Sequence, residues 1–145
     1  VGYNYRMTNI QAALGCAQLE RVESFMQSRE EIYHWYKERL NGIEGLSLNR
    51  TNEWATNSYW LICMEHDSFN EVTRNDFSKK LKSHGIDSRP YFYPMSDMPY
   101  IDSINVNTPV THHVYQRGLN LPTYTDLTKK EFHGICEVVL KLLGV

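Results

Sequence analysis

Asn4 and Arg6, two residues apart at the head of an apolar-periodic segment, are the first residues in the chain whose types could do chemistry together. The segment starts near Thr8, and a helix start offers free backbone N–H groups and the positive end of the helix dipole. A carboxamide and a guanidinium beside such a start make a site for a phosphate. A structural alternative stands next to this reading: Arg6 pairs with a nearby acid, and Tyr3 and Tyr5 pack.

The second constellation is Ser88-Arg89-Pro90-Tyr91-Phe92-Tyr93-Pro94. Aromatic residues between prolines form a stiff ribbon that can present ring faces and hydroxyls to a sugar or a nucleotide base. Here too the alternative is plain: the rings fill a core beneath a loop.

Other chemistries find little support. His112 and His113 are adjacent, so on a helix they point roughly 100° apart and cannot grip one metal ion. No histidine or cysteine pair has ligand spacing, so no metal site is expected. There is no glycine-rich phosphate loop of dinucleotide or P-loop type. Cys63 lies in an apolar run and reads as core rather than nucleophile, and spacing assembles no Ser/His/Asp set.

The elements that must position these residues follow from periodicity. Thr8 can cap a helix in which Ile10, Ala13, Leu14, Ala17, Val22, Phe25 and Met26 recur at helical spacing, and Ile32, Trp35, Tyr36, Leu40 and Ile43 continue the stripe. This stretch reads as one helix bent at Gln27-Ser28 or two in tight succession, stopped by Asn41-Gly42. Leu46 and Leu48 alternate as in a strand, and Asn57–Met64 reads as a second strand. A turn over Phe69–Val72 precedes a helix capped by Thr73 or Asn75 and ended by Gly85. Ile86–Arg89 reads as a short strand. Four of the five prolines fall in residues 90–109, which predicts an extended loop. Val110–Gly118 is a short helix, Leu121-Pro122 is extended, and Thr128 with Glu131 forms a capping box for a last helix ending at Gly144. The order predicts an α+β fold: a small, mostly antiparallel sheet with helices on one face.

The bulk numbers agree with one globular domain. At 145 residues the chain can bury a core without staples, and 41% hydrophobic with 22% charged residues excludes a disordered polymer. A net charge of −2 gives no field to draw the chain onto nucleic acid or an anionic membrane. The apolar runs are too short to span a bilayer. Cys16, Cys63 and Cys136 are odd in number and unpaired in spacing, as expected of reduced thiols in the cytoplasm. The chain opens at Val1 without a methionine or a polar leader, which reads as a piece of a longer polypeptide.

The run Gly2-Tyr3-Asn4-Tyr5-Arg6-Met7-Thr8-Asn9-Ile10-Gln11-Ala12-Ala13-Leu14-Gly15, followed by Gln18-Leu19-Glu20, strongly resembles the DegT/DnrJ/EryC1/StrS sugar aminotransferases. Ser58-Tyr59-Trp60-Leu61, Gly85–Pro90 with Tyr93-Pro94, Arg117–Pro122 and Leu127-Thr128 resemble later stretches of the family in the same order. The Tyr91-Phe92-Tyr93-Pro94 run is most similar to the perosamine-synthase branch, which aminates a GDP-linked 4-keto-6-deoxy sugar.

The resemblance implies the C-terminal small domain of the type I aspartate aminotransferase fold. Residues 1–42 would be the connecting helix region and residues 43–145 the small α+β domain. It also implies pyridoxal 5'-phosphate as cofactor, a nucleotide-linked sugar as substrate, glutamate as amino donor and a homodimer whose sites lie at the interface. Asn4 and Arg6 match residues near the cofactor phosphate. Arg89, Tyr91 and Tyr93 match a loop near the nucleotide sugar. The family's cofactor-bearing lysine lies in the large domain, upstream of the match to Asn4, and no lysine here has its context. No catalytic residue is therefore assigned, and the chain alone is expected to be inactive. Ser96 stands where many relatives have a histidine, which puts sugar preference in doubt. Some relatives carry histidine in place of the lysine and are dehydratases. A small domain kept alone would be a non-catalytic nucleotide-sugar-binding or dimerisation module.

Overall fold

The computed structural model describes residues 2–101 and 107–145. The elements in chain order are α1 (Asn9–Leu19), α2 (Val22–Leu40), β1 (Leu46–Leu48), β2 (Ile62–His66), α3 (Glu71–Ser83), β3 (Arg89–Pro90), a 3-10 turn (Met95–Asp97), α4 (Pro109–Arg117), β4 (Gly118–Leu121) and α5 (Lys129–Leu143). The four strands form one antiparallel sheet in the order β1-β2-β4-β3. This is the α+β architecture expected from the sequence.

The alternation of side chains across the sheet decides where the core sits. Ile62 and Met64 of β2 lie opposite Leu121 and Leu119 of β4, and all four are buried. They meet Ile32, Tyr36 and Leu40 of α2, Phe77 and Leu81 of α3, and Phe132, Ile135, Cys136 and Val139 of α5 in one hydrophobic cluster. Tyr36 is fully buried, and its hydroxyl donates to the Pro122 carbonyl at 3.1 Å, which gives the polar tip a partner. Cys63, Glu65, Gly118 and Asn120 alternate to the other face. The expectation that the helices share one face needs adjustment. α4 contacts β2 and α3, and its Val110 and Val114 line a cavity with Cys63 and Asn120 on that second face.

Local chemistry moved several expected boundaries. The first helical stretch breaks at Glu20-Arg21, not at Gln27-Ser28. Arg21 leaves the helical region at φ −113°, ψ 0°, and Ser24 Oγ takes up its carbonyl at 2.8 Å. Ser28 merely bonds back to the Ser24 carbonyl within α2. The second strand begins at Ile62, not Asn57. Asn49 is the reason: its side chain donates to the Leu61 carbonyl and accepts from the Cys63 N–H, both at 2.9 Å, where a neighbouring strand would otherwise pair. α3 is capped by Asn70, with Thr73 answering as the reciprocal partner, so the expected turn over 69–72 already contains two helical residues. The third strand shrinks to Arg89–Pro90, and its proline is tolerated because β3 is an edge strand. The proline-rich loop holds a 3-10 turn, and its residues 102–106 lie outside the described residues. The capping box of α5 stands as expected, closed by Gly144 in the left-handed region at φ +82°.

Candidate functional site

The head of α1 carries the first group of interest. Thr8 caps the helix, with Gln11 returning its side chain to the Thr8 N–H. Immediately before it, Asn4 Oδ1 accepts from the Arg6 backbone N–H at 3.1 Å and from Arg6 Nε at 3.3 Å. Among the described residues, Arg6 has no acidic partner, and Asn4 and Arg6 are both exposed. Tyr3 and Tyr5 lie 6.0 Å apart but remain 76% and 88% exposed, so they pack into no core. Because the Asn4 oxygen is occupied, what this pair offers outward is its N–H groups: the Asn4 amide and the rest of the Arg6 guanidinium.

The second group lies on the far face of the sheet. Tyr91 leaves β3 and lays its ring on Gly118: a Cβ there would sit 2.1 Å from Tyr91 Cδ2. The Tyr91 N–H donates to the Gly118 carbonyl at 3.2 Å. Burial, followed by the nearby Cys63 and Glu65, pushes the Tyr91 hydroxyl pKa upward, so it stays protonated. Burial also pushes the Cys63 thiol up, which argues against a reactive thiolate. Its Sγ meets Asn120 Oδ1 at 3.4 Å.

Tyr91 and Phe92 are shared walls of two adjoining cavities, of about 420 and 460 Å³. The first runs toward α4, against Val110, Val114 and Tyr115. The second runs toward Trp60, Asn57, Ser58 and Arg50. Trp60 and Phe92 stack, with centroids 6.2 Å apart and planes 21° apart. Trp60 is placed by its neighbour Tyr59, the one non-glycine residue among those described with a positive φ, +46°. Such a conformation costs about 1–3 kcal/mol and persists only where surroundings dictate it. Here the Tyr59 ring stacks on buried Tyr33 at 3.9 Å and 11°, and the Tyr59 N–H donates to Asn57 Oδ1 at 2.8 Å.

The sequence-predicted residues thus fall in two places. Arg89, Tyr91 and Tyr93 form one strip. Arg89 pairs with Asp87 at 3.1 Å on the surface, and Tyr93 sets its ring edge-on to Tyr115 at 5.3 Å. Asn4 and Arg6 hydrogen-bond only within their own turn. A larger cavity, about 760 Å³ between the segment that follows α3 and the Glu131–Val138 part of α5, touches none of these five residues.

Three features escaped the sequence reading. Arg74 is 1% exposed and donates to the carbonyls of Tyr115 and Gly118, at 3.1 and 3.3 Å, at the C-terminus of α4. Its guanidinium also lies 5.1 Å from the Tyr115 ring centroid. It supplies a donor to the Tyr115 carbonyl at the negative end of a helix and a second donor, beside the Tyr91 N–H, to the Gly118 carbonyl. The second is a clasp across the proline-rich loop. His112 Nε2 lies 2.8 Å from Asp97 Oδ2, and His112 Nδ1 lies 2.7 Å from the Thr108 carbonyl. Both ring nitrogens face oxygen acceptors, and the Thr108 carbonyl, followed by Asp97, raises the imidazole pKa. Ser96 joins the clasp through Asp97 Oδ1 at 3.1 Å. The third is Trp60, whose exposure follows from the Tyr59 backbone.

The family model of the DegT/DnrJ/EryC1/StrS aminotransferases matches residues 1–140. The chain belongs to this family. A GDP-perosamine synthase of Vibrio cholerae is 34% identical over 141 residues, which are 96% of this chain and 38% of that protein. A dTDP-4-amino-4,6-dideoxy-D-glucose transaminase of Escherichia coli is 33% identical over 96% of this chain and 39% of its own length. The solved sugar aminotransferase CalS13 from Micromonospora echinospora superposes with a TM-score of 0.84 at 21% identity, over 97% of this chain and 37% of that one, which shows a shared fold. The chain therefore spans somewhat over a third of the length of the family members it matches.

Family membership implies pyridoxal 5'-phosphate, and the donor set at the head of α1 fits the phosphate of that group. A phosphate needs N–H donors and a positive charge, and the Asn4 carboxamide and Arg6 guanidinium present both with no competing acid among the described residues.

Proposed function

We propose that this chain is the connecting helix region (1–42) and small domain (43–145) of a pyridoxal-phosphate aminotransferase acting on a nucleotide-linked 4-keto-6-deoxy sugar. Glutamate is its amino donor, and the complete enzyme is a cytoplasmic homodimer. The observation that carries the reading is the pair of outward-facing donors, Asn4 and Arg6, at the head of α1 in a chain that matches the family from residue 1 to residue 140.

In this reading Arg6 and the Asn4 amide bind and orient the cofactor phosphate. Arg89 and Tyr93 contribute charge and a hydroxyl to the nucleotide sugar, while Tyr91, fixed on Gly118, holds the ribbon that carries them. The bound cofactor supplies the electron sink through which an amino group passes from donor to keto sugar. The chain alone supplies contacts rather than the reacting lysine, so by itself it does not transaminate.

The test is an assay of the complete polypeptide with pyridoxal phosphate, glutamate and a GDP-linked 4-keto-6-deoxy sugar, following 2-oxoglutarate release. Release by the complete protein, none by residues 1–145, and a large rise in the cofactor dissociation constant with Asn4→Ala or Arg6→Ala are expected. Turnover by residues 1–145 alone, or unchanged cofactor affinity in both variants, contradicts the proposal.

A further inference from the structure

We infer that Arg74 is a positioning residue: from the interior it fixes the two seats on which Tyr91 and Tyr93 rest, and so sets the geometry of the Arg89–Tyr93 strip without touching the substrate. The inference rests on the nucleotide-sugar reading above, which gives the strip its task.

The strip is an exposed ribbon with few points of support. Tyr91 is half-buried, Phe92 and Tyr93 are exposed, and Pro94 is buried again. Tyr91 sits on Gly118: its ring fills the space a side chain would take there, and its N–H donates to the Gly118 carbonyl at 3.2 Å. Tyr93 sits on Tyr115, ring edge to ring face at 5.3 Å. Arg74 reaches both seats. Its Nη1 donates to the Tyr115 carbonyl at 3.1 Å and to the Gly118 carbonyl at 3.3 Å. Its guanidinium also lies over the Tyr115 ring, 5.1 Å from the centroid, within cation–π range. The far end of that ring is held from the same helix, since the Tyr115 hydroxyl donates to Glu71 Oε1 at 3.2 Å. Arg74 thus stands where α3 packs against α4, β3 and β4.

Capping α4 does not account for this arrangement. The Tyr115 carbonyl needs a donor, but the Gly118 carbonyl already has the Tyr91 N–H, so the second Arg74 bond satisfies no orphan group. What that bond does is fix where the Gly118 carbonyl stands, and with it the Tyr91 N–H that the carbonyl accepts. The guanidinium is also a costly cap. It is 1% exposed, its Nε has no hydrogen-bond partner, and among the described residues it pairs with no carboxylate. A buried cation with incomplete pairing opposes folding, and a neutral donor would cap the helix at less cost. The planar guanidinium adds what a smaller donor lacks: one nitrogen joins two carbonyls while the same group covers the ring beneath Tyr93. A small displacement of such a support moves every group on the ribbon, and misplacement by about 1 Å suffices to weaken a binding geometry severely.

The experiment compares Arg74→Lys with Thr128→Ala, which weakens the α5 cap and serves as the control for general loss of stability. Arg74→Lys keeps a donor and a charge in the buried position, and a dispersed amide spectrum verifies its fold. Tyr115→Leu is the second variant: it keeps the carbonyl and removes the ring. In the 145-residue chain, Arg74→Lys is expected to shift the Tyr91 amide and Tyr93 ring signals and to speed exchange of the Tyr91 N–H. Tyr115→Leu should move the Tyr93 signals most, and Thr128→Ala neither set. In the complete polypeptide, Arg74→Lys should raise KM for a GDP-linked 4-keto-6-deoxy sugar about tenfold or more, with kcat and the pyridoxal phosphate dissociation constant little changed. Unmoved Tyr91 and Tyr93 signals in Arg74→Lys overturn the inference. So does a KM that stays at the wild-type value or rises equally in Thr128→Ala, and in either case wild-type turnover leaves the aminotransferase reading standing. Absence of turnover by the wild-type polypeptide overturns that reading, and the positioning role falls with it.

Discussion

Gly118 and Tyr91 show how one residue's absence of a side chain sets a loop. Gly118 has an ordinary negative φ of −87°, so nothing in its backbone calls for glycine. The demand comes from the Tyr91 ring, which occupies the space of a Cβ. Gly118→Ala should destabilise the chain by about 1–3 kcal/mol through overpacking, and Tyr91→Ala in the same chain should recover part of that loss. Urea unfolding of the two single variants and the double variant reads the coupling; simple additivity would refute it. Arg74 makes the opposite case, a long charged residue buried for its donors. Arg74→Ala should cost about 2–4 kcal/mol, because it takes the donor from the Tyr115 carbonyl, leaves the Gly118 carbonyl with the Tyr91 N–H alone, and opens a void beside Tyr115. Arg74→Lys should recover only part, since a single ammonium cannot reproduce the planar fork. Neither requirement could be read beforehand: an arginine on an amphipathic helix looks like surface, and Gly118 reads as the end of the Val110–Gly118 helix, whereas it opens β4. The place of Asn4 and Arg6 just before a helix capped by Thr8 was legible because the cap is local, whereas the bonds from Arg6 to Asn4 Oδ1 were not foreseen.

Between elements, the His112–Asp97 clasp ties the 3-10 turn that follows Pro94 to the first turns of α4. The charged imidazole satisfies both facing acceptors, whereas either neutral tautomer turns a lone pair toward one of them. The folded pKa lies above the unfolded value of about 6.5, so the stability it contributes is fully present below that value. It is lost as pH rises through the folded pKa. Asp97→Asn should lower the His112 pKa, read from the Cε1–H chemical shift against pH, and should flatten the loss of stability with rising pH. An unchanged titration curve in Asp97→Asn would show that Asp97 does not hold the proton. At α5, the Thr128–Glu131 box holds the Glu131 carboxyl below its ordinary range through the Thr128 hydroxyl and N–H. Its stabilisation is therefore present above the unfolded pKa and fades as acid titrates Glu131 through the folded value. Thr128→Ala should cost about 1 kcal/mol in urea unfolding at neutral pH. Helix types and order were legible because the 3.6-residue pattern and the caps are local. The strand limits were not: Asn49 stands in for a strand partner, and Tyr59 turns the chain, and both depend on residues far away in sequence.

For the whole molecule, the uneven burial of the helices is the informative fact. α2, α3 and α5 close one core over the sheet, whereas α1 buries no residue and leaves Ile10, Leu14 and Leu19 64–76% exposed. Periodicity predicted that α1 is amphipathic; it could not reveal that its apolar face has no partner among the described residues. An 11-residue helix without packing is marginal in water, so amide hydrogen exchange should be fastest at 9–19 and slowest in β2 and β4. Protection of α1 equal to that of α2 would contradict this. The proposed place of the chain, as the small domain of a larger aminotransferase, accounts for that bare face and for the family match along residues 1–140. The most direct test is to read the coding sequence immediately upstream of Val1. The account predicts a large cofactor domain with a lysine at the family's cofactor position. A histidine at that position would redirect the activity to dehydration, and a start codon or an unrelated sequence there would contradict the aminotransferase assignment.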